Sequence, residues 1–196
     1  MAHISSIGAG MFSDLSVAVP TTPPAFSTLE DATDFHPLFA TEVAPTGTKG
    51  AGAFCRISNI REFPSFGTPP NIVNVPVYGQ PTSQQIQGQS DAPSLEITIN
   101  YIPSLWADGT LLAGLLKSKE QVVVRFALLN SAPTGTGPTK YASLPAGLGQ
   151  INNTEFYLIG KLEAMTINPQ LTDANQATLT LSMQSELFGA YTLANI

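Results

Sequence analysis

His3 and His36 are the only imidazoles among the 196 residues, and no neighbouring ligand stands at a spacing suited to a metal ion. Cys55 is the only cysteine, which excludes an intrachain disulfide and a cysteine-based zinc site and leaves a buried strand thiol as its reading. The segment TGTGP at 134–138 has the glycines of a phosphate loop but neither the Gly-Lys-Ser/Thr ending nor an apolar helix after it. Glu30, Asp31 and Asp34 are near enough to pair carboxylates for acid–base work, yet acids at a helix start are what the helix dipole favours. Asn152-Asn153-Thr154 matches a glycosylation sequon, a short pattern without force where no secretion signal accompanies it. Trp106 reads as core packing, not as a stacking platform. No nucleophile, base and orienting group converge. The sequence therefore predicts no catalytic residue, no cofactor, no metal ligand and no enzyme activity.

Composition points the same way. Hydrophobic residues make up 43% and charged residues 11%, less than half the roughly 25% usual in soluble domains. Such a chain is expected to bury surface in an assembly. Its net charge of −6 and scattered eight basic residues argue against a partner gripped through phosphates. Lys117 and Lys119 fit a solvated helix end. Residues 1–10 lack a basic stretch followed by an apolar one, and no window has the length of a membrane span. The expectation is assembly in a reducing cytoplasm, without membrane insertion.

The elements that would position any site are mostly strands. Residues 1–52 read as an N-terminal strand at 11–19 followed by an extended arm, with one short helix around 29–40. The main domain is expected over 53–196. Strands are predicted at 53–63 and 71–78, with Pro76 marking an edge or bulge, and a projecting polar hairpin or loop at 79–93. Residues 94–101 alternate cleanly, Leu95, Ile97, Ile99 and Tyr101 against Glu96, Thr98 and Asn100. A helix over 105–118 with Ser104 as N-cap follows. The apolar run 121–130, a Gly/Pro loop at 131–150 and two closing strands at 154–167 and 177–187 complete the order. The apolar phase shifts after Leu162, which predicts a bulge. The fold class is thus mainly β (α+β): an antiparallel β-sandwich or half-barrel with one flanking α-helix.

That order, together with Ser6-Ile7-Gly8-Ala9-Gly10, CRISNIREF, SLEITINYIPS followed by a Leu/Ala-rich helix and QVVVRFALLN, and the closing FYLIGKLEAMTINPQLTDANQATLTLSM, resembles the major tail tube protein of long-tailed, non-contractile bacteriophages. The same architecture occurs in contractile-tail tubes and type VI secretion tubes. The insertion at 132–150 and the stretch 20–52 depart from the family pattern.

The resemblance implies a structural virion protein whose hexameric rings stack into a tail tube, assembled in the host cytoplasm and passing genomic DNA without specific binding. It also implies tape-measure and tail-terminator-type partners. On this reading Glu96, Thr98, Asn100, Thr178, Thr180 and Ser182 face the channel, where acids repel DNA. Gln80, Gln84, Gln85, Gln87 and Asp91 then lie in ring-to-ring contacts, the arm 20–52 reaches across ring boundaries, and both order only on assembly. The competing readings are a stand-alone β-sandwich binding or adhesion module, for which Tyr78, Tyr101, Trp106, Tyr141, Tyr157 and Tyr191 are too dispersed to form a platform, and a secretion-system tube subunit.

Overall fold

A computed structural model describes residues 13–67, 72–79, 81–87, 94–129 and 154–191. Expectations on 1–12, on the loop 131–150, and on Gln80 and Asp91 lie outside these residues. Eleven strands are described: β1 Asp14–Ala18, β2 Thr41–Val43, β3 Ala53–Arg56, β4 Ile60–Glu62, β5 Ile72–Val75, β6 Gln84–Gln87, β7 Ser94–Asn100, β8 Val122–Leu128, β9 Thr154–Asn168, β10 Gln176–Met183 and β11 Phe188–Tyr191. Three short helices, α1 Ala32–Phe35, α2 Pro103–Trp106 and α3 Leu111–Ser118, complete the set with 3₁₀ turns at Phe26–Thr28 and His36–Phe39.

Nine strands form one sheet in the order β2-β3-β1-β8-β9-β10-β7-β4, with β11 also on β9, while β5 and β6 pair only with each other. The β-rich class expected from the sequence is correct, and the described strands do not close into a barrel. The sheet is mixed, because β2 runs parallel to β3.

The expected strand 53–63 is two strands at opposite ends of that order. Ile57 N–H still donates to Leu15 O beside β3, whereas Asn59 O accepts from Asn100 N–H beside β7. Asn59 makes the crossing with φ 62, a backbone region that asparagine tolerates better than most residues. Four Cα steps from Arg56 to Ile60 reach at most about 14 Å. The two ends of the sheet are therefore brought together, and the sheet must wrap around its contents.

Those contents are the main core. Leu15, Val17, Ile97, Ile99, Val124, Phe126, Leu158, Leu179 and Leu181 line it, and Trp106, Leu112 and Leu115 from α2 and α3 are buried in it. The helix expected over 105–118 is split, since Gly109 takes φ 89. Thr110 caps α3 by accepting from Ala113 N–H at 3.3 Å. Ser104 is not a cap: Pro103 opens α2 after Ile102. The bulge foreseen after Leu162 is present, as Leu181 pairs with Leu162 and Thr180 with Ala164, leaving Glu163 as the extra residue.

The expected extended arm is instead folded onto the outer side of the sheet. Phe35 and Phe39 are fully buried there with Leu29, Ala18, Phe54, Val123, Tyr157 and Ile159. Asp31 caps α1, and Asp34 completes a capping box, so these carboxylates serve the helix start. The Thr33 hydroxyl and N–H hold the Asp31 carboxyl below its ordinary range. Because both faces are covered, every residue of β1 and all but the last of β8 are buried, the polar Asp14, Ser16 and Arg125 included.

Candidate functional site

The arm covers only half of the outer side. In the other half, β7, β10 and the C-terminal part of β9 keep one face sealed and one face open. Along β10 the pattern is strict: Ala177, Leu179, Leu181 and Met183 are buried, while Gln176, Thr178, Thr180 and Ser182 are not. Along β7, Leu95, Ile97 and Ile99 are buried, and Glu96, Thr98 and Asn100 are not.

Register puts the six residues singled out by alternation on that one face. Thr178 pairs with Thr98, Thr180 with Glu96, and Gln176 with Asn100. On the other side of β10, Thr178 pairs with Thr166 and Gln176 with Asn168. Rows of Thr166–Thr178–Thr98 and Asn168–Gln176–Asn100 thus cross three strands at a spacing of about 4.8 Å. Ser182 Oγ donates to Glu163 at 2.8 Å. Asn100 is partly buried, and its amide oxygen is enclosed and has no hydrogen-bond partner among the described residues. The charges on the face are Glu96, Glu62 opposite Thr98, and Lys161 and Glu163 beside Ser182.

The β5–β6 hairpin is the second surface. Its register, Ile72 with Gln87, Val73 with Ile86, Asn74 with Gln85 and Val75 with Gln84, places three of the expected contact glutamines on a ribbon that pairs with no other described strand. None of residues 72–75 and 84–86 is buried, and Ile72, Val73 and Ile86 are 52%, 49% and 56% exposed. β5 stops before Pro76, as the missing N–H requires. A two-stranded hairpin without a packed face is marginal by itself. Three exposed β-branched side chains on it are a surface suited to a partner.

Sequence reasoning missed a third feature, a buried set of charges beneath the arm. Arg56, Ser16, Arg125 and Tyr157 form one row across β3, β1, β8 and β9, with Asp14 and Glu155 one pleat away. Arg56 Nε lies 2.7 Å from Asp14, and the Arg125 terminal nitrogens lie 3.9 Å from Asp14 and 3.6 Å from Glu155. Ser16 Oγ donates to Asp14, and Tyr157 Oη donates to Glu155 at 2.5 Å. Burial pushes the Asp14 carboxyl above its ordinary value, against the pull of Arg125, Ser16 and Arg56. Burial and the Glu155 charge likewise push the Tyr157 phenol up. Two cations and two anions balance, and no reactive group is exposed by them. Each looks like a surface residue in the sequence, and only the flanking apolar runs hint otherwise.

The other chemistry-bearing residues fall into structural roles. Cys55 is buried in β3, where burial and Glu42 push its thiol up to about 12. Trp106 is in the core. Lys117 pairs with Asp108 and Lys119 with Glu163 at the end of α3. Among the described residues no three His, Cys, Asp or Glu side chains cluster to hold a metal ion.

The fold is shared with a chain in the cryo-EM structure of the anti-feeding prophage (AFP) baseplate, 6-fold symmetrised, with TM-score 0.56 and 12% identity over 97% of this chain and 99% of that one. No protein-family model and no curated protein matches the sequence.

Proposed function

We propose that this chain is a structural subunit of a phage-type tail, forming hexameric rings that stack into a tube, with the open face of β7 and β10 turned to the bore. The observation that carries this reading is the division of the sheet. Among the described residues its outer side is sealed by aromatic residues in one half and open, with a row of threonines, in the other. A lining of hydroxyls and amides in which the carboxylates of Glu62, Glu96 and Glu163 outnumber the single cation Lys161 offers DNA little to hold, so the genome slides without specific binding. Ring closure also supplies partners for β2 and β4, the two end strands of the sheet. The β5–β6 hairpin then bridges successive rings.

The shared fold supports a place in a tail or injection assembly, and the baseplate in which it was found was 6-fold symmetrised. That likeness favours a second reading within the same class, a baseplate ring in place of the tube of a long non-contractile tail. Tape-measure and terminator-type partners, location in the virion and the lack of enzymatic activity follow from the same proposal. A stand-alone adhesion module fits less well, because Trp106 and Tyr157 are buried and form no exposed aromatic platform. Negative-stain microscopy of the concentrated protein tests the reading. Hollow six-fold rings or tubes support it, a single terminal ring without stacking selects the baseplate form, and dispersed monomers contradict both.

A further inference from the structure

We propose that the edge of β9 at residues 164–168 receives β5 from the hairpin of a second copy, so that the sheet continues across the contact. The inference deepens the assembly role given to the hairpin and rests on that reading. Only the first half of β9 has strands on both sides. Val122, the first residue of β8, pairs with Gly160, whereas β10 follows the opposite edge of β9 as far as Asn168. Lys119, at the end of α3, reaches Glu163, and past that point no described strand pairs with this side of β9.

The missing neighbour shows in the burial. Ile167, Ala177 and Ile99 form one row across β9, β10 and β7 on the core side. Ala177 and Ile99 are 0% exposed, whereas Ile167 is 43% exposed. A strand laid beside Ile167 would complete the row. Residues 164–168 carry no charge and no proline, so nothing on the edge itself discourages pairing.

β5 carries the matching pattern. Val73, Val75 and, across the ribbon, Ile86 share one face, while Asn74 and Gln85 share the other with Ile72. On β9, Met165 and Ile167 point to the core side, and Thr166 and Asn168 point to the open face. Laid in phase, the two valines continue the apolar row and Asn74 continues the polar one. A slip of one residue would invert both, so the alternation fixes the register. The gain is mutual, because a two-stranded ribbon is marginal until a third strand joins it. Both ends of the hairpin are rooted at β4 and β7, and β4 lies three strand positions from β9, about 14 Å away. Reaching the chain's own β9 edge would carry the ribbon across the sheet, whereas a neighbour set edge to edge presents its β9 there. Donor and acceptor surfaces differ, so the contact is head-to-tail and repeats from copy to copy.

Hydrogen–deuterium exchange of the full chain, concentrated into assemblies and dispersed by dilution, tests the contact. Exchange at 164–168 and at 72–75 should slow by about tenfold or more on assembly, as newly paired amides do. Ile167→Lys, which sets a charge on the edge, should abolish the slowing at both segments while the melting temperature of the dilute chain stays as in the wild type. Assemblies in which 164–168 exchange as fast as in the dilute chain, or Ile167→Lys assemblies with β5 still protected, overturn this contact and leave the tube reading standing. Protection of 164–168 that is independent of concentration overturns the second copy as occupant in favour of the chain's own hairpin. A wild-type chain that stays monomeric at every concentration overturns both the contact and the tube.

Discussion

The ring of Phe39 lies 4.6 Å from the guanidinium carbon of Arg125, with Phe54 at 5.0 Å, so a side chain from the N-terminal segment caps the central cation of the buried network. Phe35 stacks on Tyr157 at 4.8 Å in the same layer. This ties the segment 26–39 to the sheet before any partner arrives. Phe39→Ala should cost about 3–5 kcal/mol, the range for removing a buried aromatic ring, read as a lower denaturation midpoint of the isolated chain. Retention of full stability would mean that the segment is not docked in solution.

Arg125 itself should tolerate no simple replacement. Arg125→Met leaves Asp14 and Glu155 buried without their shared cation, and loss of one member of a buried ionic set costs about 3–5 kcal/mol. The double change Arg125→Met with Glu155→Gln should recover part of that loss, and a double-mutant cycle in urea measures the coupling. Additive effects would show that the two side chains do not interact.

Asp14 gives the network a distinctive pH dependence. Its folded-state carboxyl titrates above 3.8, so the folded chain holds the proton more tightly than the unfolded chain. Stability from this group is gained as pH falls through the raised value and is lost as pH rises through it. Asp31, Asp108 and Asp173 are shifted down, and their contribution has the opposite sign, present above 3.8 and lost in acid. Comparing unfolding free energy against pH for the wild type and Asp14→Asn isolates the first term. The wild type should gain on the variant as the solution is acidified through the folded-state value, and a gain in the other direction would contradict the buried placement.

Cys55 should be inert in the folded chain. With its thiol at about 12 and no exposed surface, almost no thiolate exists at pH 8. A maleimide should label it only at the rate of unfolding, and prompt labelling would contradict the position of β3 inside the sheet.

The strand order explains which parts could be read beforehand. β7 and β10 were legible because one face is sealed and the other open, which writes a period of two into the sequence. The bulge was legible from the phase change it imposes. The crossing at 57–59 was not, since Ile57 and Ile60 keep an apolar rhythm through a segment that changes partners. β2 and β11 are three and four residues long, too short for any period to register. The folded arm was missed because Phe35 and Phe39 sit among Pro, Thr and acids, and only the sheet beneath gives them a place to be buried. The candidate face was therefore visible in outline, whereas the charges under the arm depend on contacts that no local pattern encodes.

The hairpin is expected to act in assembly and not in folding. Val73→Lys with Ile86→Glu keeps a favourable cross-strand pair while removing two exposed apolar groups. The melting temperature should stay within about 2 °C of wild type, as for surface changes that touch no core, and sedimentation should show loss of large species. Normal polymers from this variant would remove the hairpin from the stacking contact.

The orientation of the open face is the point on which the functional account turns, and a cryo-EM map of the assembled protein measures it most directly. The account predicts a six-fold ring whose bore is lined by Thr98, Thr178 and Thr180, with the Phe35 and Phe39 layer on the side away from the bore. A map in which those threonines lie on the outer surface or between subunits, or in which the particles have no central channel, would contradict it.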